Sequence, residues 1–226
     1  MKSAETRPKN IFAAMLFPLN GKNILYLFLA VLFVSVLVFT EWPLISINDA
    51  AHKRLVSMRW LLVPHILFAL TALVAGPFQF STKLREHNKS LHRMLGKLYI
   101  VSVLSGAVFA FIISQKFPFP GSTFQSQAAT VTQAAIWFFT TFMAYVFACK
   151  NQIALHKIWM SRSYGITLIF IFARVLNPFR AFYNIDADGF GVVLFLLMIF
   201  ALVVPELLLN RNELLARKNK GERDIL

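Results

Sequence analysis

Only one cysteine, Cys149, occurs in 226 residues. A disulfide needs two and a thiolate zinc centre needs several, so both are excluded. Charge is scarce as well. Charged residues make up 15% of the chain, against about a quarter in a soluble domain. Acidic residues are scarcest, with 10 Asp+Glu facing 23 Lys+Arg. A soluble surface cannot be clothed from that supply. Disorder is excluded by the opposite argument, since it requires low hydrophobicity and 58% of these residues are hydrophobic. No Walker loop, HExxH pair or Ser–His–Asp arrangement can be picked out, so a hydrolase has no residues to rest on.

What the chain has instead is apolar length. Phe alone fills 24 positions, and the mean hydropathy is +0.63. A helix that crosses a bilayer needs about 20 mostly apolar residues. Six such stretches follow one another, at 24–40, 60–80, 98–114, 128–149, 164–183 and 191–209. The joins between them are short and gather the punctuation, as at Trp42-Pro43 and Gly121. The expected fold is an all-α polytopic membrane bundle of six transmembrane helices. Residues 1–23 precede it, 24–209 form it, and 210–226 are a basic tail. The apolar stretch Ile11 to Leu19, flanked by charge, suits the interface plane. Glu41-Trp42-Pro43 is no small-residue cleavage site, so the first span reads as an uncleaved anchor.

The net charge of +13 is a matter of sidedness. With the N-terminus in the cytoplasm, the outer segments hold only Lys53, Arg54, Arg59 and Lys116. Nearly all other Lys and Arg fall on the inner side. That asymmetry places both termini inside, in a bacterial inner membrane. It reports orientation, and a nucleic-acid partner is rejected. Asn88-Lys89-Ser90 matches a glycosylation sequon but lies on the inner side, and is set aside.

Ionisable residues at depth are where function is sought in a membrane. His92 opens the third span in Leu91-His92-Arg93-Met94-Leu95-Gly96-Lys97-Leu98-Tyr99. His156 opens the fifth in His156-Lys157-Ile158-Trp159-Met160-Ser161-Arg162-Ser163-Tyr164. Both segments run His, base, apolar pair, base, then Tyr, which suggests a repeated helical hairpin. The positive end of a helix favours neutral imidazole, the form that ligates metals. Two such groups on parallel helices could clasp one haem iron. Arg93, Lys157 and Arg162 would then offer charge to its propionates. The alternative is that His-Arg and His-Lys mark helix starts and nothing more.

His65, after Pro64 in span two, has no histidine opposite it in span four, so a packing or hydrogen-bonding role is expected. Arg174 stands near mid-membrane, about 15 Å into span five at the α-helical rise, where insertion costs roughly 2.5–3.5 kcal/mol. Asn177 follows near one turn later, and Pro178 removes a backbone donor. With Gln79 of Gly76-Pro77-Phe78-Gln79, these residues could line a polar site for an anion, a quinone carbonyl or a lipid headgroup, or form a structural pair. Glu206 suits a helix-end pair with an inner Arg, and Cys149 suits a reduced, inert thiol.

The run from His65 through Gly76-Pro77-Phe78-Gln79 to Tyr99, with His156 to Arg162 downstream, resembles the bacterial predicted-membrane-protein family catalogued as domain-of-unknown-function family 2306. The resemblance covers roughly residues 60–180 and implies a membrane bundle without implying a mechanism. Ser90-Leu91-His92 with Leu95-Gly96 is also similar to the haem-ligand helix start of transmembrane b-type cytochromes of the b561 kind. That similarity implies haem ligands on alternate helices, here His92 with His156. Span four lacks the histidine that a second haem would need. Three functions remain open at this point. One is a single-haem b-type electron-transfer protein, a membrane oxidoreductase component if it is an enzyme, exchanging electrons with a quinone or another redox partner. The second is a small-anion, quinone or lipid binding or transport protein built around Arg174. The third is a non-catalytic assembly factor.

Overall fold

The computed structural model describes residues 31, 34–35, 53–118, 121–176 and 185–223. Apart from residues 31, 34 and 35, the span expected at 24–40 lies outside them, as do Asn177 and the side chain of Arg174. Among the described residues all regular structure is helical. The order is α1 (Lys53–Gln79), α2 (Thr82–His87), α3 (Lys89–Lys116), α4 (Phe124–Cys149), α5 (Ile153–Leu176) and α6 (Ala187–Arg223).

Local chemistry explains the breaks. The Ser81 side chain accepts the Leu84 N–H to start α2, and the Asn88 side chain accepts the Leu91 N–H to start α3. A capping box between Thr123 and Ser126 starts α4. The α4–α5 turn is short and passes through Asn151 at φ 57°, a left-handed conformation that Asn tolerates better than most side chains. A turn that tight makes α4 and α5 antiparallel neighbours.

Four helices are long and apolar enough to cross a membrane: Val56–Gln79, Lys89–Lys116, Phe124–Cys149 and Ala187–Leu207. They contain the spans expected at 60–80, 98–114, 128–149 and 191–209 nearly whole, and α3 begins well before its apolar stretch. The expected span at 164–183 runs past Leu176 into residues that are not described. Its described part carries Lys157, Arg162 and several hydroxyls, and does not count among the four. No more than 33% of any of the four is buried within the chain. Apolar side chains such as Leu67, Val74, Leu196 and Phe200 face outward, as hydrocarbon surroundings require.

Helix α1 packs on α3, α3 on α4, α4 on α5, and α6 on both α4 and α5, while α1 touches α5 more lightly. Lipid tails offer no hydrophobic drive between helices, so close fit at small residues does the work. At Gly165 an added Cβ would stand 2.8 Å from the Ala201 carbonyl oxygen, and at Gly191 3.1 Å from the Ser126 Cα. These two glycines let α6 sit against α5 and α4. Between them the core closes on Tyr99, Trp137, Met160 and Met198, all buried.

Candidate functional site

Helices α3 and α5 start at the same end of the bundle, and each carries a histidine in its first turn. The two imidazoles lie within electrostatic range of one another. His156 Nδ1 is 2.8 Å from the Ala144 carbonyl of α4. A carbonyl only accepts, so Nδ1 carries the proton and Nε2 holds the lone pair. The His92 ring is hydrogen-bonded to the Phe78 carbonyl of α1, while its Nδ1 is buried without a partner. The donor is therefore Nε2, and the lone pair of His92 sits on Nδ1. Each ring is thus held by a backbone carbonyl of a neighbouring helix, and each keeps one basic nitrogen.

The residues around the pair come from the Gly76-Pro77-Phe78-Gln79 end of α1. Gly76 is where Tyr164 of α5 enters: an added Cβ would be 2.2 Å from two of its ring carbons. The Tyr164 hydroxyl donates to the Leu73 carbonyl at 3.3 Å. Gln79 lies over Gly96 of α3, with its Oε1 2.9 Å from where a Cβ would stand, and its amide makes a long 3.5 Å bond to the His92 carbonyl. The sequence left open whether this segment served close approach or a pocket. It serves approach, by Tyr164 on one side and α3 on the other.

Arg162 lies two turns beyond His156. It pairs with Glu206 of α6 and stands 4.9 Å from the centre of the Trp159 ring. Its Nε is buried with no partner. Arg93 is exposed on α3. His65 belongs elsewhere: its Nδ1–H donates to the Gly106 carbonyl at 2.9 Å, about 20 Å up α1 from Gln79 at the α-helical rise. The polar site imagined around Arg174 and Asn177 draws on groups outside the described residues.

One cluster escaped sequence reasoning. Tyr99, Thr141, Ser163 and Thr167 meet in the core between α3, α4 and α5, with Trp137 beside them. Thr141 donates to the Trp137 carbonyl at 2.8 Å. Its 2.5 Å contact with Ser163 must then be donated by Ser163, which accepts in turn from Tyr99 at 2.8 Å. The Trp137 indole N–H donates to Thr167 at 2.9 Å, and Thr167 to the Ser163 carbonyl at 3.1 Å. Both chains end on backbone carbonyls. They form a closed clasp and offer no relay to either surface. The signal was in the spacing: His156, Met160, Ser163 and Thr167 share one helical stripe, and Tyr99 follows His92 on another.

Between α1 and α3 an apolar groove of about 320 Å³ runs along the outer face, lined by Leu70, Val74 and Phe78 from α1 and by Leu95 and Leu98 from α3. Its lower end adjoins the His92 turn. Among the described residues no group of three or more His, Cys, Asp and Glu is placed to hold a metal ion. A bis-histidine iron draws only two ligands from protein, so the pair is a different kind of site.

Compared with known proteins, the chain matches the family described as Predicted membrane protein (DUF2306) over residues 62–210, more than half its length. No curated protein and no solved structure matches it.

Proposed function

We propose, for a chain that belongs to the predicted-membrane-protein family DUF2306, that it is a six-span electron-transfer protein holding one b-type haem between His92 and His156. Both termini would lie in the cytoplasm and the histidine end would face that side, following the distribution of Lys and Arg.

The observation that carries the reading is the pair of convergent imidazoles whose protons are held by backbone carbonyls. A ligating histidine characteristically gives its other ring N–H to a carbonyl or carboxylate, which orients the ring and raises its basicity. His156 meets that description through Ala144. His92 contributes a basic nitrogen that is buried and unpartnered, and a turn of its ring would exchange the Phe78 bond for ligation through Nε2. The buried, unpartnered Nε of Arg162 supplies a donor suited to a carboxylate, and Arg93 supplies charge at the same end. A bound haem would supply one-electron chemistry. The chain's own residues would orient the two ligands, neutralise the acidic side chains and keep water away from the apolar edges.

The test is an absorbance spectrum of protein purified after expression with haem supplied, in oxidised and dithionite-reduced states. A Soret band and sharp reduced α band are expected in the unaltered protein. Both should be lost in His92→Ala and His156→Ala and kept in His65→Ala. A protein with no Soret band, or one unchanged in the double variant, would overturn the reading.

A further inference from the structure

The α1–α3 groove is apolar along its length, yet its lower end opens onto basic chemistry. Lys83 and Arg85 lie on α2, a helix with no buried residue, and Lys89, Arg93 and Lys97 follow on α3. Glu86 is the one acidic residue in that run. Arg85 lies within electrostatic range of His92. Arg93 and Lys97 are one turn apart, so they share a side of α3, and both are exposed. Leu95 and Leu98, interleaved with them, line the groove.

We infer that this groove is a binding site for one anionic phospholipid, with an acyl chain along α1 and α3 and its phosphate among Arg85, Arg93 and Lys97. The apolar and basic parts are joined in the order that a phospholipid requires, chain inward and phosphate at the membrane surface. A zwitterionic lipid would place its own ammonium among the guanidiniums and amines, which repel it. An uncharged isoprenoid chain would fill the groove but leave the basic end without a partner. Each Lys or Arg near an anionic headgroup adds about 1 kcal/mol, or about fivefold in affinity. The site does not depend on the haem, so either proposal can fail alone.

The full chain is purified, incubated with mixed phosphatidylglycerol and phosphatidylcholine vesicles, and re-extracted in mild detergent. Retained lipids are counted by mass spectrometry. Phosphatidylglycerol should be retained over phosphatidylcholine. The preference should fall about 25-fold in Arg93→Gln/Lys97→Gln, two such residues. Val74→Trp should empty the groove of either lipid, while Leu196→Trp on the outward face of α6 should leave retention unchanged. If Val74→Trp does not fold, the double Gln variant, altered only at exposed positions, decides. Equal retention of both lipids would overturn the inference, as would retention insensitive to the double Gln variant, or recovery of an isoprenoid quinone from the groove instead.

Discussion

At the scale of single residues, the buried hydroxyls are not equivalent, and the directions of their hydrogen bonds say which matter. Thr167 is the acceptor for the Trp137 indole N–H, and no second acceptor is recorded for it. Thr167→Val keeps the shape and strands that donor, a change that costs about 1–3 kcal/mol. Ser163→Ala is milder, because Tyr99 can turn its proton to Thr167, already 3.1 Å away. Thermal unfolding in detergent should therefore rank Thr167→Val well below Ser163→Ala, and the reverse order would show that the bond directions are wrong. The histidines were legible in the sequence because ionisable groups are rare in such apolar surroundings. The hydroxyls were not, since Ser and Thr are common in membrane helices and reveal a role only when their partners on other helices are known.

Among the helices, the glycines decide how close each pair comes, and they differ in what they meet. Beside Gly76 the neighbour is the ring edge of Tyr164, which can swing; beside Gly165 it is the backbone oxygen of Ala201, which cannot move unless α6 moves. Gly76→Ala should displace Tyr164, break its bond to the Leu73 carbonyl and lower stability modestly. Gly165→Ala should push α6 away from α5, loosen the Arg162–Glu206 pair and cost more, within the roughly 1–3 kcal/mol typical of overpacking. Unfolding curves for the two variants, measured side by side, check that order. Helix positions were readable from apolar length and short loops. Helix contacts were not, because a lipid-facing leucine and a buried one look alike in sequence.

Over the whole molecule, a polar clasp ties α3, α4 and α5 together, small residues seat α6 against the last two, and α1 lies along α3 with an open groove between them. The six-span reading makes a prediction on this scale. Cysteines introduced at Asn151 and Gly121, in a Cys149→Ser background, should be labelled by a membrane-impermeant maleimide from opposite sides, Asn151 from the cytoplasm. Labelling of both from one side would overturn the orientation. The sequence by itself determined that this is a helical membrane protein, where four of its spans run, and that basic charge gathers at one end. Length, hydropathy and charge are properties of the chain in order and need no partner to be read. Only the tertiary structure decided that His92 and His156 converge with opposite nitrogens held by carbonyls, that Arg162 answers Glu206, and that Tyr99 closes on Ser163. Those facts depend on which faces of separate helices meet, and in a bilayer that is set by close packing and hydrogen-bond pairing between segments far apart in sequence.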